Sequence, residues 1–269
     1  MPLDVVVLAA GQGTRMRSRL PKVLHRVAGV SMLEHVVTTA SELDASRIHV
    51  VYGHGGEQVP STLTALPVDW VFQEEQLGTG HAVAQVIPHL TAGAAVLVLY
   101  GDVPLVQSAT LRPLVDHALS GRLGLLTVQL HDPQGYGRIV RDESGDVQRI
   151  VEHKDATDEQ RKIKEINMGV MIAPATQLKQ WLAAIGNDNA QGEYYLTDAI
   201  AMAVNDGVDV HGIKADSWTE VMGINDKKQL AEAERALQAR LVEELMQQGV
   251  GFADPARVDI RGTLKCGKD

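Results

Sequence analysis

Short apolar runs rich in β-branched side chains recur between longer stretches of helical period, and this alternation restricts the chain more than any other feature. Val5-Val6-Val7-Leu8, Ile48-His49-Val50-Val51-Tyr52, Val68-Asp69-Trp70-Val71-Phe72 and Ala95-Val96-Leu97-Val98-Leu99 are too short for buried helices and read as strands. Helices are expected between them. Ser31 to Leu43 is one, with Ser31 and Glu34 at capping-box spacing. A nearly continuous apolar strand has no face to leave in water, so the sheet must be covered on both sides. The fold class that follows is α/β, a doubly wound and mostly parallel sheet.

The rhythm changes after about Thr127. Gly135-Tyr136-Gly137 and Ser144-Gly145-Asp146 read as turns, with strands over Gly137 to Arg141 and Val147 to Val151. This stretch, at about 128–175, is expected to form a β-rich lobe laid over the sheet. A last long helix is expected from Asp226 to Gln248, capped by Asn225 or Asp226 and ended by Gly249. Beyond it lie short apolar pieces at Val258, Ile260 and Leu264 with no helix to cover them.

Composition narrows the function classes. With 269 residues, 45% of them hydrophobic, the chain can bury a core as one large domain or a domain plus a lobe. The net charge of -9 gives no gain from counterion release, so a nucleic-acid partner is not expected. Cys266 is the single cysteine, which rules out an intramolecular disulfide and a cysteine-based zinc site. No apolar run approaches the ~20 residues of a membrane-crossing helix, and the first residues lack signal-peptide character. A soluble, cytoplasmic protein with no membrane insertion is expected.

Ligands of open α/β sheets bind beyond the carboxyl ends of the strands. The loop after the first strand reads Leu8-Ala9-Ala10-Gly11-Gln12-Gly13-Thr14-Arg15-Met16. Small residues there let backbone N–H groups approach a phosphate. Residues 1–30 carry Arg15, Arg17, Arg19, Lys22 and Arg26 against Asp4 alone, so a basic segment lies inside an acidic chain. That pattern suits a polyanionic small ligand, although basic runs are also ordinary solvated surface. The dinucleotide fingerprint fails, because its sixth position is Met16 and the second strand ends in Gly53-His54-Gly55 rather than an acid. The Gly-x-x-x-x-Gly-Lys-Ser/Thr pattern is absent as well.

The loop has companions. Gly11-x-Gly13-Thr14-Arg15-Met16 with Pro21-Lys22 resembles the signature of sugar-phosphate nucleotidyltransferases. Further on come Gln73-x-x-Gln76-Leu77-Gly78-Thr79-Gly80-His81-Ala82, Tyr100-Gly101-Asp102-Val103-Pro104-Leu105 and Gly135-Tyr136-Gly137-Arg138-Ile139. Ile150-Val151-Glu152-His153-Lys154-Asp155 and Glu193-Tyr194-Tyr195-Leu196-Thr197-Asp198 complete the set. In this order the motifs resemble the uridylyltransferase half of the bifunctional bacterial N-acetylglucosamine-1-phosphate uridylyltransferases / glucosamine-1-phosphate acetyltransferases, over essentially the whole chain. The resemblance implies a Rossmann-like nucleotide-diphospho-sugar transferase fold. It implies transfer of UMP from UTP to N-acetylglucosamine-1-phosphate, giving UDP-N-acetylglucosamine and pyrophosphate for cell-envelope precursors. It also implies a transferase domain over 1–225 with a sugar-binding lobe, a helix over 226–249 toward a C-terminal domain, and over 250–269 the start of a truncated β-helix. In full-length relatives that domain carries the acetyltransferase site and the main trimer contacts, so acetyl transfer is not expected here. Met168, where relatives carry a smaller polar residue, departs from the pattern.

The resemblance also assigns residues. Leu8, Ala9, Ala10, Gly11 and Gly13 should line the nucleotide, and Arg15 and Lys22 should meet its phosphates. Arg15 can bind two oxygens at once where Lys22 acts as a point charge. Gln73, Gly78 and Thr79 should read the base, since an amide matches the donor and acceptor edge of uracil. Tyr100, Gly101, Gly137, Glu152, Asn167, Tyr195 and Thr197 should surround the sugar or its phosphate. Asp102 is the expected Mg²⁺ ligand, with Asn225 implied as the second protein oxygen. By spacing alone Asp102 is equally a turn or cap residue, Asn225 equally a plain N-cap, and nothing pairs them. His25, His35, His81 and His153 are unclustered and read as structural. Competing readings are a nucleotidyltransferase for glucose-1-phosphate, a non-catalytic nucleotide-sugar sensor, and an NAD-dependent oxidoreductase, against which the broken fingerprint counts.

Overall fold

The chain is seen in a computed structural model that describes residues 1–269 except His54, Leu119, Thr263 and Asp269. His54 of the second-strand turn and the final Asp269 therefore lie outside the described residues. The strands are β1 (Leu3–Leu8), β2 (Arg26–Val27), β3 (Val30–Ser31), β4 (Arg47–Gly53), β5 (Asp69–Gln73), β6 (Ala95–Tyr100), β7 (Leu123–Gln129), β8 (Arg138–Arg141), β9 (Val147–Val151), β10 (Glu165–Pro174) and β11 (Val210–Lys214). The α-helices are α1 (Met32–Ser41), α2 (Gln58–Thr62), α3 (Thr79–Ala84), α4 (Ser108–Ala118), α5 (Asp158–Arg161), α6 (Ala175–Ala184), α7 (Asp198–Asn205), α8 (Trp218–Val221) and α9 (Lys227–Gln247).

The main sheet runs β11-β7-β10-β6-β1-β4-β5. Strand β1 is parallel to both β4 and β6, and β4 to β5. All six residues of β1 are buried, and its side chains divide between two cores as a period of two requires. Val5 and Val7 join Leu97 and Leu99 of β6 under α1 and α4. Val6 and Leu8 join Val96 and Val98 on the opposite face, under α3, α6 and α7. Each fully buried valine or leucine contributes about 1.5–3 kcal/mol, so both faces need cover, as the unbroken apolar runs anticipate. Helix α1 starts where its capping box says: Glu34 N–H donates to Ser31 Oγ at 3.2 Å and Ser31 N–H to Glu34 Oε2 at 3.0 Å.

The stretch expected as a lobe laid over the sheet is continuous with it instead. Strand β10 inserts antiparallel between β6 and β7, with Met171 to Pro174 facing Val98 to Ala95. Only the β8–β9 hairpin projects, joined to β10 through the Ile166–Arg138 pairing. The physical reason is burial: Val170, Met171, Ile172 and Ala173 are all buried, and apolar side chains on both faces need a central position. The register of β10 on β7 shifts between Asn167 and Met171, around Gly169 at φ +80°. That irregularity lies at the rim of the sheet, where it re-aims side chains toward a cleft.

Helix α9 is capped by Asp226, whose side chain accepts from Gln229 N–H at 2.8 Å; of the two expected caps, Asn225 lies one residue outside. It ends in a Schellman motif, with Val250 N–H on Leu245 O and Gly249 N–H on Met246 O, both 3.0 Å, and Gly249 at φ +96°. Past it, Ile260 N–H donates to Gln238 Oε1 at 2.7 Å and Gln238 Nε2 to Ile260 O at 2.9 Å, which folds the tail back onto the helix. No strand forms among the described residues after Gly249. Among the described residues no helix is long and apolar enough to cross a membrane.

Candidate functional site

Two clefts open at the carboxyl ends of the central strands. The first, about 210 Å³, is walled by Ala9, Ala10, Gly11 and Gln12 of the loop after β1, by Pro21 and Lys22, by Gly53 at the end of β4, and by Gly55 and Gly56 beyond it. Its lining is almost all backbone and small side chains, a surface whose N–H groups can approach an anion closely. Gly13, at φ +61°, holds the loop in a left-handed turn, and a Cβ there would lie 2.7 Å from Lys22 Cβ. Its bare α-carbon therefore lets the loop close on the base of Lys22. Leu8 is buried, and Arg15 is exposed, free of hydrogen bonds and ion pairs to the described residues.

The second cleft, also about 210 Å³, is lined by Tyr100, Asp102, Tyr136, Gly137, Glu152, Asn167, Met168 and Gly169, among others. Here side chains do most of the lining. Thr197 Oγ1 donates to Glu152 Oε1 at 3.1 Å. Burial pushes the Glu152 carboxyl up from the ordinary glutamate value, opposed by the Thr197 bond and reinforced by Asp155, Asp198 and Glu193 nearby. Burial likewise pushes Tyr100 far up, with the Glu152 and Asp102 carboxylates adding to it. Asn167 is held by two local bonds: its N–H donates to Gly137 O at 2.9 Å and its Oδ1 accepts from Gly169 N–H at 3.0 Å. A Cβ on Gly169 would lie 2.5 Å from the Tyr100 ring, so only glycine allows this packing.

Between the clefts stand three residues far apart in sequence. Lys22 follows Pro21 in a short 3-10 turn pinned by the buried Val23 and Leu24. Its Nζ donates to Asp102 Oδ2 and, at 3.0 Å, to Asn225 Oδ1. The Lys22 and Asp102 side chains keep only 11% and 17% of their exposure. Asp102 lies just past β6; its carbonyl accepts from Ile224 N–H at 2.9 Å, and that bond brings Asn225 alongside. Gly101 N–H bonds Leu8 O at 2.9 Å, which ties the Asp102 turn to the end of β1.

The donor set is one carboxylate and one amide oxygen directed at a common cation. Among the described residues no group of three or more His, Cys, Asp or Glu gathers to enclose a metal. A site of this kind fits an ion that takes one or two protein oxygens and completes its shell with water and phosphate, which is Mg²⁺ behaviour.

The remaining expected residues fall in different settings. Gln73 is buried, its Nε2 3.0 Å from His81 Nδ1 and 3.4 Å from Gly78 O, beneath the β5–α3 loop. Gly78, at φ +111°, packs on the irregular segment 193–196, where a Cβ would meet Tyr194 O at 2.7 Å. Tyr194 N–H bonds Leu77 O, Gly80 N–H bonds Tyr194 O, and Leu196 N–H bonds Thr79 Oγ1, all within 3.1 Å. The Gly78-Thr79 turn and the Glu152–Thr197 pair are thereby linked through one segment. Tyr195 is buried with its hydroxyl on Asp155 Oδ2 at 3.4 Å, and it is not among the residues lining the second cleft. The four histidines read as structural all meet protein groups: His25 Lys227, His35 Val27 O, His81 Gln73 and Gln85, and His153 Arg138.

Sequence reasoning gave no role to Gln76, Tyr136 and Gly169. Gln76 Nε2 donates to Ala10 O while its Oε1 accepts from Gln12 Nε2 at 3.1 Å, so it clasps the loop after β1. Gly53 makes room for that amide. Tyr136 lines the second cleft, edge-on to Trp218 at 5.5 Å and within electrostatic reach of Arg15. The motif containing Gln76 was visible, but the direction of its side chain was not.

Known proteins resemble this chain closely. The model of the family described as MobA-like NTP transferase domain matches residues 5–156. The chain is 56% identical over 267 residues to the bifunctional protein GlmU of Aromatoleum aromaticum, covering 99% of this chain and 59% of that protein. It is 55% identical to the bifunctional protein GlmU of Pseudomonas fluorescens, again covering 59% of the relative's length. Among solved structures, a UDP-glucose pyrophosphorylase complexed with UDP-glucose superposes with a TM-score of 0.72 at 15% identity, covering 89% of this chain and 100% of that one. At that identity the likeness speaks for the fold alone.

Proposed function

The chain belongs to the family of MobA-like NTP transferase domains, and from that we propose that it transfers UMP from UTP to N-acetylglucosamine-1-phosphate, releasing pyrophosphate and forming UDP-N-acetylglucosamine. The observation that carries the reading is the convergence of Lys22, Asp102 and Asn225 between a backbone-lined cleft and a side-chain-lined one. A nucleoside triphosphate suits the first cleft, and a hydroxyl-rich sugar phosphate suits the second. Their reacting ends would meet beside the ammonium. The curated relatives that support the assignment are longer, so the substrates are taken from the resemblance and the chemistry from the site.

In the proposed reaction an oxygen of the sugar phosphate attacks the α-phosphorus of UTP in line, a new P–O bond forms, and pyrophosphate leaves. Both reactants bring their own reactive groups, so the protein contributes positioning and charge neutralisation. Residues Leu8 to Gly13 would cradle the nucleotide, Arg15 would fold over its phosphates with two parallel bonds, and Lys22 would follow the shifting charge. Gln73, Gly78 and Thr79 would read uracil, and rejection of other bases would come from leaving those buried groups unpaired. Glu152 and Asn167 would bind sugar hydroxyls and the N-acetyl group beside Tyr100, Gly101, Gly137 and Thr197. Asp102 and Asn225 would hold Mg²⁺, which supplies a Lewis acid that neutralises phosphate charge. The proposal assigns this chemistry to residues 1–225. A cytoplasmic location goes with it, because a UTP-consuming enzyme works where UTP is formed.

Pyrophosphate release by the purified chain, with UTP and Mg²⁺, tests the reading when N-acetylglucosamine-1-phosphate is compared with glucose-1-phosphate. EDTA-sensitive release with the first sugar is expected. Preference for glucose-1-phosphate would move the sugar assignment, and silence with both in a folded, UTP-binding protein would sink the enzyme reading.

A further inference from the structure

Lys22 already holds the two oxygens that the reading above gives to a divalent cation. Its Nζ is bonded to Asp102 Oδ2 and Asn225 Oδ1 together, and the Lys22–Asp102 pair is largely shielded from water. A divalent cation and an ammonium cannot share that pair, because like charges at contact distance repel strongly in a shielded site. We propose that Lys22 is the resident counter-cation of the Asp102–Asn225 pair, that a divalent metal must displace it to bind there, and that a bound triphosphate favours the metal by drawing the ammonium away. The inference rests on the proposed nucleotide and metal sites.

Three features of the site support an exchange over a fixed salt bridge. Lysine is a compact point charge on a four-carbon stem, able to turn its head without moving its backbone. The backbone at Lys22 is fixed by the buried Val23 and Leu24 and by the close packing of Gly13 on its Cβ, so only the distal end is free to turn. Lys22 also borders the first cleft beside Ala9, Ala10, Gly11 and Pro21, so a phosphate bound there competes directly for the ammonium. A shielded carboxylate left without a cation is strongly unfavourable, and Lys22 removes that penalty from the nucleotide-free protein. Metal and nucleotide binding are then coupled, each favouring the other by the same factor.

The test is Mn²⁺ binding to the nucleotide-free chain, followed by electron paramagnetic resonance, in wild type, Lys22→Met, Lys22→Ala and Asp102→Asn. If the ammonium occupies the pair about nine-tenths of the time, either lysine variant binds Mn²⁺ about ten-fold more tightly than wild type, while Asp102→Asn loses the site. Lys22→Met keeps the stem's packing, so a folding failure of Lys22→Ala alone leaves the test intact. Equal or weaker Mn²⁺ binding in the folded Lys22→Met variant overturns the exchange. Pyrophosphate release by the wild type is scored separately. A wild type that turns over while Lys22→Met binds Mn²⁺ no tighter overturns this inference alone. Tighter Mn²⁺ binding in a protein silent with every sugar phosphate upholds the exchange and overturns the reaction.

Discussion

The two clefts differ in how they present chemistry. On the parallel side, the loops after β1 and β4 offer glycine, alanine and backbone N–H groups, and Lys22 is the one charged residue among the described residues lining the cleft. On the antiparallel side, around β8 to β10, the lining is tyrosine, glutamate, asparagine and methionine, and glycines serve to let bulky neighbours in. The first arrangement suits a ligand with repeated, similar oxygens that many N–H groups can share. The second suits a ligand whose hydroxyls must be told apart one at a time. The difference teaches that one sheet can carry two modes of recognition, separated by where an antiparallel strand is inserted.

Several changes would break or sharpen that contrast. The largest effect is expected at the junction. Asp102→Ala should reduce pyrophosphate release by roughly a thousand-fold or more, because several kcal/mol of transition-state charge stabilisation are lost. Circular dichroism should be unchanged, and normal turnover would refute the metal assignment. On the nucleotide side, Arg15→Ala should lower kcat by about 10²–10³-fold. Arg15 is exposed and unbonded to the described residues, so thermal stability should stay within about 0.5 kcal/mol of wild type. An unchanged rate would reduce Arg15 to a surface charge.

On the sugar side the expected signature is a pH dependence. Burial raises the Glu152 pKa, so the folded state holds this proton more tightly than the unfolded chain. Its contribution to stability is therefore complete below the ordinary glutamate value and is lost as pH rises through the raised one. Binding needs the opposite state, because only the carboxylate is purely an acceptor. The KM for the sugar phosphate should rise as pH falls through the raised value, while the KM for UTP stays flat. Glu152→Gln should flatten the sugar profile, and a matching slope in that variant would assign the effect elsewhere. The smallest change is expected for Tyr195→Phe, whose hydroxyl faces Asp155 at 3.4 Å. A KM shift below about two-fold would follow from losing one weak bond, and a ten-fold rise would put the tyrosine against the sugar.

Much of this frame was legible in residues close together in sequence. The four parallel strands formed within two residues of their expected bounds, and Val147 to Val151 as read. The Ser31–Glu34 capping box and the Gly249 terminator are contacts within one turn of chain, which composition and spacing specify. Strand β10 was less legible, because an apolar run such as Val170 to Ala173 does not say which strands it will separate. Tyr195 shows the same limit for a site residue: a motif fixes its position, and packing decides where its hydroxyl points.

By itself the sequence determined the four parallel strands, the β8 and β9 strands, helices α1 and α9, and which loops carry small, basic or acidic residues, because these follow from short-range periodicity and capping. Only the tertiary structure decided that Lys22 meets Asp102 80 positions away and Asn225 203 positions away. It also decided that β10 runs antiparallel through the centre and that Gln76 closes over Ala10. Such contacts arise when strands stack and bury both faces. Their partners are chosen by that packing, and no local pattern in the chain records the choice.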